Sequence, residues 1–181
     1  MEIEDGDTSL EDLIKSRVKT IPDVPIPGIL FRDITPLIGE FSVFQQIVSA
    51  SVRAYRGTVV DYVAGIEARG FIFGTPLALQ LNAGFIPIRR AGKLPRPTIA
   101  TSYTQSYATS TIELHIDAVQ AGQKVVVIDD VLSSGGTAAA AISLLEKLGA
   151  EVVGATFVIE LTSLGGRARL NGYPVHTLAR Y

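Results

Sequence analysis

The chain has 181 residues, 47% of them hydrophobic, enough for one core that removes about 70% of the unfolded surface from water. Sixteen lysines and arginines against eighteen aspartates and glutamates leave a formal charge of -2, so no global basic field recruits nucleic acid and any anion must be held locally. The sequence has no cysteine, which excludes disulfides, thiolate metal sites and a cysteine nucleophile; with no signal peptide or bilayer-length apolar run, the expectation is a single soluble cytoplasmic domain with no membrane partner.

Ser9 followed by Asp12 reads as a helix cap, with a short helix to about residue 19 and Leu10, Leu13 and Ile14 on one stripe. Residues 20–35, interrupted by Pro22, Pro25, Pro27 and Gly28, are predicted to be irregular and retained for packing or binding. Phe44, Ile47, Val48 and Val52 fall at helical spacing over residues 42–55, with Gly57 as the stop. Strands are predicted at 59–66 and 84–88 around a helix at 70–81, then at 125–128 and 152–159 around a helix at 137–148 that Gly149 closes. Two such units predict an α/β fold with a mainly parallel central sheet flanked by helices, and ligands at the carboxyl ends of its strands. Residues 91–110, rich in Gly, Pro, Ser, Thr and Tyr, exceed an ordinary connection. They read either as a flexible lid or as a hairpin with a long solvated tip, and the cations Arg89, Arg90 and Lys93 at the base favour the lid.

Residues 125–137 read VVVIDDVLSSGGT. A β-branched apolar run enters two aspartates, then a hydroxyl and glycine turn, then a helix start. Glycines let main-chain N–H groups crowd around an anion, and the helix N-terminus adds its positive dipole end. The hydroxyls of Ser133, Ser134 and Thr137 add donors. Asp129 and Asp130 alternate in direction at a strand end, so they do not form a face-to-face acid/base pair; they can grip different hydroxyls of one sugar. Phosphate, polyol and a nearby divalent ion together describe a phosphorylated ribose. Read singly, an Asp-Asp or a Gly-Gly-Thr is an ordinary turn. No lysine follows the glycines, which excludes a P-loop, and no G-x-G-x-x-G occurs.

This string resembles the 5-phosphoribosyl-1-pyrophosphate signature of the type I phosphoribosyltransferases. Three further segments are similar to the adenine phosphoribosyltransferases within that family: IPDVPIPGILFRDITP at 21–36, GIEARGFIFG at 65–74 and IRRAGKLPRP at 88–97. The likeness is collinear from about residue 9 to 172. It implies that Asp129 and Asp130 bind the ribose hydroxyls, and that Ser133, Ser134, Gly135, Gly136 and Thr137 hold the 5′-phosphate. It also implies that Phe31 stacks on the purine while main-chain groups of Leu30 and Arg32 read its amino edge, with residues 20–36 forming a small N-terminal hood. Glu67, Ala68 and Arg69 become the pyrophosphate loop, with a non-proline cis peptide between the first two. Arg90 and Lys93 assist there, and Arg89 matches an arginine shared across a homodimer boundary.

The implied reaction joins adenine to 5-phosphoribosyl-1-pyrophosphate and yields AMP and pyrophosphate, with Mg2+ held mainly through the substrate and no direct protein ligand assigned. One departure stands in the lid. Where the family often has Tyr, two variable residues, Glu, Tyr and Gly, this chain has Tyr103, Thr104, Gln105, Ser106, Tyr107 and Ala108. Ser106 replaces the carboxylate near the purine N7, and a serine cannot be a carboxylate base at neutral pH. Either proton removal is not rate-critical or another residue substitutes. Without the resemblance, Phe31 would read as a core aromatic, and Glu67 with Arg69 as a surface ion pair. The rival readings are an enzyme for 6-oxopurines, a sensor of the sugar pyrophosphate, and a serine hydrolase; the last lacks a G-x-S-x-G elbow.

Overall fold

The computed structural model describes residues 9–105 and 108–181. Ser9 caps helix α1 (Leu10–Arg17), its hydroxyl accepting the Asp12 N–H at 3.2 Å. The proline-rich stretch that follows is not irregular throughout. Strands β1 (Lys19–Pro22) and β2 (Leu30–Asp33) pair antiparallel, with Ile21 opposite Phe31. The tip between them turns through Asp23 and Gly28, both at positive φ, and accommodates Pro25 after a cis peptide. Helices α2 (Thr35–Gly39) and α3 (Phe41–Arg53) lead to the first sheet strand.

Next come β3 (Tyr62–Ile66), α4 (Arg69–Leu81), β4 (Gly84–Arg90), β5 (Thr98–Gln105), β6 (Ala108–His115), β7 (Lys124–Leu132), α5 (Gly136–Lys147), β8 (Glu151–Glu160) and β9 (Val175–Arg180). Two 3-10 turns, Thr162–Leu164 and Gly166–Leu170, link the last two strands. Among the described residues the main sheet runs β5-β6-β4-β3-β7-β8-β9. Its β4-β3-β7-β8-β9 portion is parallel, and only the β5–β6 hairpin joins antiparallel. The mainly parallel α/β sheet follows from buried apolar runs connected through helices.

Alternation along β7 divides the core between the two faces. Val125 and Val127 pack toward α5 with Ala141, Leu144 and Leu145, whereas Val126 and Ile128 pack with Phe73 and Leu77 of α4. Helix α4 and strand β3 lie close around Phe85 because glycines on both admit its ring: a Cβ on Gly74 of α4 would meet Phe85 at 2.7 Å, and one on Gly65 of β3 would meet the same ring at 2.8 Å. Residues 91–110 are largely a hairpin in the sheet rather than a loop, since Thr98–Gln105 pairs with Ala108–His115 along its whole length. Ser106 and Tyr107 lie outside the described residues.

Candidate active site

Strand β7 carries Asp129 and Asp130 within its ladder, because β8 continues the pairing to Leu132 opposite Glu160. The chain then turns at Ser133 and Ser134. Gly135 adopts φ 78° and caps α5, which starts at Gly136. Asp130 is buried at 2% exposure, and its main-chain N–H donates to Asp129 Oδ1 at 2.9 Å. Arg69, first residue of α4, brings Nε to 2.9 Å from Asp130 Oδ2. That contact is an ion pair without an aligned N–H, so this buried oxygen has no hydrogen-bond donor.

Burial, and then the charge of Asp130, push the Asp129 carboxyl well above the ordinary range. Asp130 is also raised by burial, with Arg69 opposing the shift. Carboxylate oxygens held there can accept polyol hydroxyls, and a cation brought beside them offsets the buried charge. Among the described residues no group of three or more His, Cys, Asp or Glu side chains gathers as a metal site. The hard carboxylate oxygens of Asp129 and Asp130, beside both cavities described next, suit a magnesium ion that arrives on the substrate's own oxygens.

Two cavities meet at these acids. One, of about 440 Å3, is lined by Glu67, Ala68, Arg69, Arg90, Tyr103, Asp129, Asp130 and Thr137. The other, of about 420 Å3, is more apolar, and Val24, Pro25, Ile29, Leu30, Phe31, Arg32, Leu161 and Leu164 meet Arg69, Asp129, Asp130, Ser133, Ser134 and Thr137 there. The β1–β2 hairpin therefore forms one wall of the apolar cavity. Arg69 lies 5.3 Å from the Phe31 ring centroid, bridging hood and acids. The Arg32 guanidinium turns elsewhere, 4.3 Å from the Tyr181 ring and bonded to Thr20. Because β2 pairs with β1 along one edge, alternate main-chain groups of β2 point away from the ladder.

The Glu67–Ala68 peptide is cis. Glu67 and Arg69 do not pair with each other. The Glu67 carboxylate accepts Arg89 Nε at 3.2 Å, Nη2 at 3.3 Å and the Arg90 N–H at 2.9 Å. The Arg89 side chain, then the Arg90 N–H, hold its carboxyl below the usual range despite burial. Arg89 also donates to the Lys93 carbonyl at 3.1 Å, so its guanidinium is engaged beside the polar cavity rather than lining it. Lys93 does not line that cavity either; its N–H and that of Leu94 donate to Glu113 at 2.9 and 3.0 Å. Burial opposes the charge on Glu113, but the N–H groups of Leu94, Lys93 and Gly92 and the Thr98 hydroxyl outweigh it and hold the carboxyl low. Sequence reasoning missed Glu113: nothing in its own strand shows that a turn twenty residues earlier folds onto it. Leu161 and Leu164 were missed for the same reason, since only the sheet order brings them under the hood.

The phosphoribosyl transferase domain family matches residues 43–174. The adenine phosphoribosyltransferase of Chelativorans sp. (strain BNC1) is 51% identical over 175 residues, covering 96% of this chain and 97% of its relative. The chain belongs to the adenine phosphoribosyltransferase family. A crystal structure of that enzyme from Rhodothermus marinus superposes with a TM-score of 0.91 at 47% identity, over 95% of this chain and 98% of the other. The Saccharomyces cerevisiae enzyme, solved with adenine and D-2,5-dideoxy-2,5-imino-altritol 1,6-bisphosphate, gives 0.88 at 39% identity over 93% and 98%. The family's mainly parallel sheet flanked by helices is the fold described above. Among the described residues no helix is long and apolar enough to cross a membrane.

Proposed function

We propose that the two cavities and the acids between them carry out the family reaction: transfer of the 5-phosphoribosyl group from 5-phosphoribosyl-1-pyrophosphate to N9 of adenine, giving AMP and pyrophosphate in purine salvage. The observation that carries the reading is the position of Asp129 and Asp130, shared by a polar and an apolar cavity of similar size. Adenine occupies the apolar side, with Phe31 against its face and main-chain groups of Leu30 and Arg32 at its edge. The ribose hydroxyls lie on Asp129 and Asp130. Residues 133–137 receive the 5′-phosphate at the N-terminus of α5. On the polar side, the turn of Glu67, Ala68 and Arg69 with Arg90 holds the pyrophosphate.

Displacement at the anomeric carbon passes through a state with oxocarbenium character, so the protein's task is positioning and charge stabilisation. Arg69 and Arg90 place positive charge beside the departing group while the two carboxylates face the developing cation. Magnesium brought with the substrate would be held beside Asp129 and Asp130 and would offset the charge of the leaving group. Glu67 orients Arg89 and the start of the 90s turn, and Lys93 adds charge at the rim. Residues 20–36 serve as hood and residues 91–110, with Ser106 and Tyr107, as lid. The lid excludes water from the activated sugar, and Ser106 leaves the N9 proton without a carboxylate acceptor at that position. The assembly is a cytoplasmic homodimer in which Arg89 contributes at the boundary.

Pyrophosphate release measured over adenine, hypoxanthine, guanine and xanthine tests the reading. Release with adenine alone is expected; release with a 6-oxopurine in its place overturns the adenine assignment, and binding without release points to a sensor. Phe31→Ala is expected to raise the KM for adenine about tenfold, since a base–aromatic stack is worth about 1–3 kcal/mol. An unchanged KM in initial-rate assays removes Phe31 from the base site.

A further inference from the structure

The phosphate loop is backed by a distant segment. A Cβ on Gly166 would run into the Ser133 carbonyl oxygen and lie 2.8 Å from the Gly135 nitrogen. Conversely, a Cβ on Gly135 would meet the Gly166 carbonyl oxygen. The two main chains therefore touch with no side chain between them. Gly166 is buried, and it opens the turn Gly166–Leu170, whose last residue is 1% exposed and packed with the α5 side of the core.

Arg167, the next residue, fastens this strap to the sheet. Its Nε donates to Glu160 Oε1 at 2.9 Å and its Nη2 to Oε2 at 2.6 Å. The same guanidinium donates to the Val175 carbonyl at 2.9 Å and to Thr177 Oγ1 at 3.1 Å. Glu160 is 5% exposed and ends β8, and Arg167 holds its carboxyl below the usual range against burial. A planar fork with a second pair of acceptors fixes a direction, not only a charge.

We propose that Gly166 and Arg167 are positioning residues for the phosphate loop: Gly166 sets the curvature of residues 133–135 by main-chain contact, and Arg167 fixes Gly166 through its fork on Glu160. This rests on residues 133–137 being the 5′-phosphate site. Anion recognition by main-chain N–H groups depends on their convergence, so a strap that shifts alters phosphate affinity before anything else in the pocket.

The test compares AMP with adenosine, which differ by the phosphate, in calorimetric titrations of the full-length protein and its Gly166→Ala and Arg167→Lys variants. The Gly166→Ala variant is expected to bind AMP about tenfold more weakly, with adenosine affinity kept within about twofold. Arg167→Lys keeps the charge but loses the fork, and is expected to show the same selective loss to a smaller degree; it carries the test if Gly166→Ala does not fold. Equal losses for both ligands, or none, overturn the proposal. A parent protein that binds AMP no more tightly than adenosine overturns the phosphate-site reading itself, which separates the two failures.

Discussion

Asp129→Asn together with Asp130→Asn is expected to lower turnover by about a thousandfold or more while the protein stays folded. On the proposed reading both side chains lose the charge that would face the developing oxocarbenium ion and a substrate-borne cation, and Arg69 loses its partner on Asp130. The same substitution is expected to leave the melting temperature at neutral pH no lower than in the parent. Burial raises the folded-state pKa of both acids. A raised carboxyl favours the folded state fully below the unfolded carboxylate range, and that advantage is lost as pH rises through the raised folded values. At neutral pH these buried carboxyls therefore cost stability, and asparagine removes the cost. Steady-state turnover and thermal melts on one preparation read both quantities; parental turnover in the double variant overturns the ribose assignment.

Gly70→Ala is the second large effect. A Cβ there would lie 2.7 Å from the Ile128 carbonyl oxygen and 3.2 Å from Asp129 Oδ1. The nearer neighbour is main chain and the carboxylate oxygen is held by the Asp130 N–H, so α4 and β7 must separate, at a cost of about 1–3 kcal/mol. The separation displaces Asp129, proposed above to hold the ribose, and a misplacement of that kind is expected to lower kcat/KM by about a hundredfold. Gly39→Ala is the control, because a Cβ at the end of α2 meets nothing within 4 Å. It should melt and turn over as the parent does. A Gly70→Ala variant that matches Gly39→Ala in both measurements removes the close approach of α4 as a determinant of the site.

The parallel units were legible because each carries its own local signature. Val125, Val126, Val127 and Ile128 are continuously apolar, α5 begins at a glycine-rich turn after its strand, and α4 follows β3 after two residues. What escaped was pairing over distance. The apolar run of β7 stops at Ile128, yet the strand extends through both aspartates because Asp129 lies opposite Phe157 and Val131 opposite Ile159 on β8. In residues 20–35 the prolines concealed a ribbon, since Pro22 sits at a strand end where its missing N–H is tolerated. The lid segment looked like a loop because Thr, Ser and Tyr alternate without apolar contrast, and only the partner strand shows that they form a ladder.

The site residues divide in the same way. The acids with the hydroxyl and glycine turn announced themselves as a string, and the Glu67 to Arg69 segment only through the resemblance; the acids, Ser133, Ser134, Thr137 and Glu67 to Arg69 line adjoining cavities. Arg89 and Lys93 were legible as charges but not as directions. Their surroundings, Glu67 for one and a main-chain link to Glu113 for the other, come from strand neighbours that the local sequence does not reveal.

Because the acid pair stands at a junction and not at the floor of a single hollow, bond exchange there also sorts what it makes. On the proposed assignment the nucleotide is left on the side of the β1–β2 hairpin and the pyrophosphate beside Glu67 to Arg69, and both cavities open to solvent.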